Sequence, residues 1–227
     1  MSDTFFTAAP HWRWLIVLYF FIGGIAGGSF FLAALLHLYG TPQDRPMVRT
    51  GYYVAFLGAV VSGILLTADL ERPERFWHML IQSEYGLPMF KYWSPMSVGA
   101  WGLLLFGGVA FVATLGALHE AGRVRWAPLR RVHSSVLGGL IAVLGGLCGF
   151  FLAGYTGVLL AVTNLPLWAD TSWLGLLFLL SGASTAAALL MLLGLRRGAP
   201  TTDTVDFIGN SVYSGHAELQ QVERPPP

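Results

Sequence analysis

The chain has 227 residues, of which 55% are hydrophobic and only 11% charged, with a formal net charge of +1. An average soluble domain carries roughly a quarter charged residues, so this composition excludes an ordinary soluble domain and places the chain in lipid. A single cysteine, Cys148, excludes an internal disulfide and any iron–sulfur cluster held by this chain alone, because such clusters need several thiolates.

A helix needs about 20 apolar residues to cross a bilayer. Five runs qualify: Trp14 to Tyr39, Tyr52 to Asp69, Ser94 to Leu118, Ser134 to Thr163 and Ser172 to Leu195. Each is apolar all round, unlike the half-polar helices of a soluble bundle. Each is also continuous and too long for strand pairs. The predicted fold is an all-α membrane protein with five transmembrane helices over residues 1–197, helices one to four forming a bundle. The polar segment 198–227, ending in three prolines, reads as a cytoplasmic tail that is disordered or bound to a partner. The run from Trp14 is too long for the apolar part of a cleavable signal, and no small-residue cleavage site precedes it.

The connections differ in kind. Gly40 to Thr50 reads as a turn-rich loop because of Pro42 and Pro46. Glu71 to Trp93 mixes charges with Phe76, Trp77, Met79, Leu80 and Ile81. It predicts a short helix lying on the membrane or on a partner, followed by a proline-bearing loop. His119 to His133 is basic, and Leu165 to Thr171 is short. Arg45, Arg49, Arg123, Arg125, Arg130, Arg131, Arg196 and Arg197 fall on one side. Only Arg13, Arg72, Arg75 and Lys91 fall on the other, offset by Glu71, Glu74 and Glu84. The positive-inside bias therefore predicts an N-terminus outside and a C-terminus in the cytoplasm.

Within the helices, Gly23, Gly24, Gly27 and Gly28 form two overlapping small-xxx-small pairs on adjacent faces of helix one. Gly138, Gly139, Gly145, Gly146 and Gly149 enrich helix four. Such patterns let helix backbones approach closely and carry no chemistry of their own.

Few residues can carry chemistry. Asp69 ends the second run and is followed by Glu71, Arg72, Glu74 and Arg75. Ionisable groups at a membrane edge mark a site or a water-filled cavity unless they are an ordinary interfacial ion cluster. Tyr19 and Tyr155 both fall near the outer face. There a phenol can hydrogen-bond a carbonyl and exchange its proton, or sit in an aromatic belt. The six histidines, at 11, 37, 78, 119, 133 and 216, all avoid mid-helix. A buried haem usually needs two axial histidines on facing helices. His37, His119 and His133 gather at the inner ends of helices one, three and four, where solvation explains them without a metal. Ser62, Thr67, Ser97 and Thr114 form only a thin polar chain for an ion pathway, with no mid-membrane carboxylate or lysine.

Several strings then read together: "GGIAGGSFFLAALLHL" in helix one, "DLERPERFWHML" after helix two and "SPMSVGAWGL" opening helix three. "GYTGVLLAVTNLPLW" closes helix four, and "LFLLSGAST" lies in helix five. In this order and spacing the sequence resembles the NrfD/PsrC family, membrane subunits of polysulfide-reductase-type complexes, over residues 11 to 195. The resemblance implies a quinone-reactive subunit of a prokaryotic cytoplasmic (inner) membrane complex, without haem or iron–sulfur cluster in this chain. It implies a menaquinone or ubiquinone as substrate, a ferredoxin-like iron–sulfur subunit docked on the outer face, and a molybdopterin catalytic subunit behind it. Nucleic acid is not among the expected partners.

The resemblance places the quinone-contacting phenol at Tyr155 and the acidic residue at Asp69. With Tyr19, Arg72 and His78 these make the expected site, in which Tyr155 hydrogen-bonds a quinone oxygen and Asp69 relays the proton. The chain departs from the family at Tyr19, where the family carries a histidine; a phenol does not become a cation near neutral pH. It departs again in having five runs where the family usually has eight or more. The remainder is missing, reduced, or supplied by another membrane chain or a second copy. A non-redox membrane anchor and a proton-pathway subunit are the alternative readings.

Overall fold

The computed structural model describes residues 14–70, 72–81, 88–124, 136–161, 171 and 173–196. Arg13, Glu71, Glu84, Arg125, Arg130, Arg131, Arg197, His11, His133, His216 and the segment 198–227 lie outside the described residues. Among the described residues, five helices are long and apolar enough to cross a membrane. They are α1 (Trp14–Tyr39), α2 (Arg45–Asp69), α3 (Pro95–Glu120), α4 (Val136–Ala161) and α5 (Leu174–Arg196). The protein is a multi-pass membrane protein.

One boundary differs from the sequence expectation. Gly40 to Thr50 is not a loop. A 3-10 turn covers Pro42–Asp44, and α2 starts at Arg45, seven residues before Tyr52. The prolines misled because proline is read as a breaker, whereas Pro46 stands in the first turn of α2. There its missing N–H has no intrahelical partner to lose. Asp44 closes the junction: its Oδ2 accepts from the Thr41 N–H at 2.6 Å and from the Thr41 hydroxyl at 2.9 Å. At the other end of the bundle Ser94 caps α3, accepting from the Ser97 N–H at 3.5 Å, with Pro95 as the first helical residue. A 3-10 helix, Pro73–Met79, follows α2. An antiparallel bridge joins Ile81 to Pro88.

The packing inverts the soluble pattern. Bulky apolar side chains such as Leu104, Leu147, Leu177 and Phe21 point outward, while glycine, alanine and serine fill much of the interior. Lipid tails are as apolar as leucine, so what brings the helices together is close backbone approach rather than expulsion of water. The glycines of α1 serve different neighbours. Gly27 lies against α4, where a Cβ would stand 2.5 Å from the Gly149 carbonyl oxygen. Gly28 lies against α5, where a Cβ would stand 2.6 Å from the Gly182 carbonyl oxygen, and Gly24 packs on the same Gly182. Helix α1 is thus the central post of the bundle.

Phe30 of α1 is fully buried, with its ring 4.9 Å from Tyr52 of α2 and 5.8 Å from Phe106 of α3. The Thr114 hydroxyl donates to the Tyr52 carbonyl oxygen at 3.0 Å and ties α3 to α2. Trp14, Trp93 and Trp173, which begin or immediately precede α1, α3 and α5, are exposed at one end of the bundle. That is the placement of an interfacial aromatic belt.

Candidate functional site

The end of the bundle that carries these tryptophans also gathers the candidate side chains. Helices α1 and α3 begin there, and α2 and α4 finish there. Tyr19 lies just inside the start of α1, and Tyr155 about two turns before the end of α4; both are buried. Both therefore lie toward the same end of the bundle.

Tyr155 is held from two sides. Its hydroxyl donates to the carbonyl oxygen of Pro95, in the first turn of α3. Its ring stacks on Phe151, with centroids 5.4 Å apart at 30°. Gly99 makes room for it, since a Cβ there would stand 2.5 Å from the Tyr155 ring. Sequence reasoning did not single out Gly99 or Pro95 as site residues. The signal was present in "SPMSVGAWGL", where a glycine follows the first helical proline by four residues and so lies on the same helix face.

Tyr19 faces α2. Beside Gly23, the Tyr19 ring and the Ser62 hydroxyl share one small space; a Cβ at Gly23 would be 3.6 Å from Tyr19 Cε2 and 3.7 Å from Ser62 Oγ. Ser62 is fully buried, and its Oγ has no hydrogen-bond partner. Seven residues on, Asp69 lies on the same face of α2, roughly 10 Å along the axis. Its Oδ1 is buried and likewise has no hydrogen-bond partner. Two unsatisfied buried oxygens thus lie on one face of α2, with Ser62 Oγ beside Tyr19. Buried polar atoms are nearly always paired, so among the described residues these two orphans, like Ser29 Oγ in the middle of α1, stand out. A carboxylate in the last turn of a helix also faces the negative end of the helix dipole, which costs stability. Helix stability therefore does not explain Asp69.

Two expected members stand apart. Arg72 is exposed. His78 is stacked on Trp77 at a centroid distance of 3.7 Å, and its Nδ1 donates to the Arg75 carbonyl oxygen at 3.2 Å. Among the described residues, no hydrogen bond, ion pair or ring contact joins Arg72, Arg75 or His78 to Asp69, Tyr19 or Tyr155. The 3-10 helix Pro73–Met79 carries Arg75 and His78, and Arg72 immediately precedes it.

The resulting arrangement is two phenols from different helices, an orphaned serine hydroxyl and an orphaned carboxylate, set among apolar helices. It suits a neutral ligand with oxygen atoms on an apolar frame, and it can exchange protons at those atoms. This defines a helical membrane protein with a polar site sunk into one end of its bundle.

The sequence pattern of the family described as "Polysulphide reductase, NrfD" matches residues 4–209. The chain belongs to this family. It is similar to Protein NrfD of Escherichia coli, 32% identical over 214 residues that cover 87% of this chain and 64% of that protein. It is similar also to one of the chains of polysulfide reductase from Wolinella succinogenes, 29% identical over 193 residues that cover 81% of this chain and 58% of that protein. One of the subunits of selenate reductase from Mesobacillus selenatarsenatis is 27% identical over 101 residues, 44% of this chain and 21% of that protein. The chain spans about three-fifths of the length of the first two relatives.

Proposed function

We propose that the chain is the quinone-reactive membrane subunit of a reductase complex of the prokaryotic inner membrane, and that Tyr19, Ser62, Asp69 and Tyr155 form its quinone head site. The observation that carries this reading is the pair of orphaned buried oxygens, Ser62 Oγ and Asp69 Oδ1, on one face of α2, at the end of the bundle where Tyr19 and Tyr155 are buried. The names of two relatives, one belonging to a polysulfide reductase and one to a selenate reductase, support membership of a multi-subunit reductase. On this reading an iron–sulfur subunit docks on the outer face against the segment that follows α2, and a molybdopterin subunit lies beyond it.

A quinol supplies two electrons and two protons when bound, so the chain itself need only hold the ring and handle protons. The Tyr155 hydroxyl donates to Pro95, which leaves its oxygen to accept from a quinol hydroxyl. Turning away from Pro95, the same hydroxyl donates to a quinone carbonyl. Tyr19 adds a second neutral hydrogen-bonding group in the place where the family has a histidine. Asp69, at the end of α2 nearest the aqueous edge, accepts or returns the proton. Electrons pass to or from the partner's cluster.

Tyr155→Phe tests the site. A hydrogen bond of this kind is worth about 0.5–1.5 kcal/mol net. Quinol-linked turnover of the intact complex should therefore fall roughly 3- to 10-fold. Partner-only activity with an artificial electron carrier should not change. Unaltered quinol-linked rates for this variant and for Asp69→Asn would make a non-redox anchor the better reading.

The orientation that puts this end of the bundle outside the cell rests on the arginine asymmetry. A reporter fused just beyond residue 197 should be active only in its cytoplasmic form. Activity on the outer side would move the site to the inner face and with it the docking surface.

A further inference from the structure

Trp101 stands in the second turn of α3, and its side chain is half-buried. Its Nε1–H donates to the Met89 carbonyl oxygen at 3.1 Å. A tryptophan that served only the aromatic belt would offer that N–H to water or headgroups. Here the bond fastens α3 to the segment that joins it to α2. Met89 passes the hold on, because its own N–H donates to the Leu80 carbonyl oxygen at 2.8 Å. The Leu80 N–H in turn donates to the Trp77 carbonyl oxygen at 3.0 Å, within the 3-10 helix Pro73–Met79. A second strut runs beside this one, from the Lys91 N–H to Ser97 Oγ at 3.1 Å. The first two turns of α3 are thus bonded at two points to the short stretch of chain that precedes them.

Toward α4 the same two turns hold Tyr155. The Pro95 carbonyl oxygen accepts its hydroxyl, and Gly99 leaves the space that its ring occupies. Gly102 rests on Phe151, where a Cβ would stand 2.7 Å from the ring, and Phe151 stacks on Tyr155. A carbonyl and two glycines make these contacts, so no side chain of α3 intervenes. A shift or tilt of the two turns therefore passes to the phenol without being absorbed. An O–H···O bond spans only about 2.5–3.0 Å, so a displacement of about half an ångström is enough to weaken it.

We propose that Trp101 is a positioning residue for the quinone site: its bond to Met89 fixes the first turns of α3, and through Pro95 and Gly99 the direction of the Tyr155 hydroxyl. This rests on the proposed function of Tyr155 and adds the residue that aims its phenol. The segment between α2 and α3 and the phenol then form one hydrogen-bonded unit. Phe76, Trp77, Phe90 and Tyr92 are exposed on that segment, so a subunit that covers them acts on Tyr155 through the same strut.

The test is a double-mutant cycle in the intact complex. Trp101→Phe keeps an aromatic ring and removes the N–H. Ser97→Ala removes the second strut and leaves the Ser94 cap, which uses the Ser97 backbone N–H. Each should lower quinol-linked turnover by about 2- to 5-fold, less than the loss of the hydroxyl itself, with partner-only activity unchanged. In a Tyr155→Phe background neither should lower the rate further by more than about 1.5-fold, because the hydroxyl they aim is absent. A merely structural role would lower the rate by the same factor in both backgrounds, and that result overturns the proposal. An unchanged rate in the wild-type background overturns it as well. If Trp101→Phe fails to assemble, the Ser97→Ala cycle decides by the same criterion. If Tyr155→Phe alone leaves quinol-linked turnover unchanged, the quinone head site falls and the positioning role with it.

Discussion

Asp69→Asn is expected to lower quinol-linked turnover of the assembled complex by roughly 100-fold, while KM for the quinol stays within about threefold. The reasoning starts from shape. Asparagine keeps the size of the side chain and its place at the end of α2, but it does not accept a proton. General-base assistance typically contributes about 100- to 10,000-fold, and a 100-fold loss corresponds to about 2.7 kcal/mol of barrier. Because Oδ1 is buried without a partner among the described residues, removing the charge disrupts no ion pair or hydrogen bond described at that atom. A merely structural effect would act on assembly or on KM. An Asp69→Glu variant, which restores the carboxylate, should recover a measurable part of the rate. Equal activity of Asn and wild type would remove Asp69 from the proton path.

Gly27→Val is expected to do the greatest damage to the bundle. A Cβ at Gly27 stands 2.5 Å from the Gly149 carbonyl oxygen, and a Cβ at Gly149 stands 2.6 Å from the Gly27 carbonyl oxygen. Both obstacles are backbone, so no side chain can rotate out of the way. Overpacking usually costs about 1–3 kcal/mol and occasionally more; with rigid partners on both sides the cost should reach about 3 kcal/mol or above. The variant should accumulate poorly in the membrane and show a strongly lowered thermal midpoint in detergent. Gly63→Ala is the matched control. Nothing lies within 4 Å of a Cβ there, and alanine should be neutral or stabilise the helix by up to about 1 kcal/mol. A thermal midpoint for Gly27→Val equal to that of the control would show that the helices do not touch in this register.

How far the sequence could be read depended on what kind of force fixes each feature. Span lengths follow from bilayer thickness, a one-dimensional property, so α1 was legible to the residue and α3 to α5 to within about two residues. The first turns of α2 were missed because Pro42 and Pro46 look the same whether they break a helix or start one. Only the capping contacts of Asp44 distinguish the cases. That Tyr19 and Tyr155 lie toward the same end of the bundle was readable from helix direction. The glycine pairs forecast close packing, but not that Gly24 and Gly28 face α5 while Gly27 faces α4 and Gly23 faces Ser62 of α2. Ser62 appeared in the sequence only as one polar residue among several, since loneliness is a property of surroundings. Arg72 and His78 show the reverse limit. Charge and nearness in sequence suggested convergence on Asp69, and the 3-10 turn directs them elsewhere.

The glycine seams of α1 have a mechanical consequence. Where two backbones touch without intervening side chains, there is no rotamer to switch and no slack to take up. A piston or screw motion of α1 would drive carbonyl oxygens into α-carbons on α4 and α5 at once. The central helix therefore acts as a stator, and Tyr19 is fixed in position with it. Any movement that admits a ligand must come from the opposite wall. There α3 carries Gly107 and Gly108 in its middle with no neighbour closer than 4.0 Å to an added Cβ, while its outer turns at Gly99 and Gly102 rest on the rings of Tyr155 and Phe151. A movement of that wall must turn these two aromatic rings as well as break the phenol-to-carbonyl hydrogen bond.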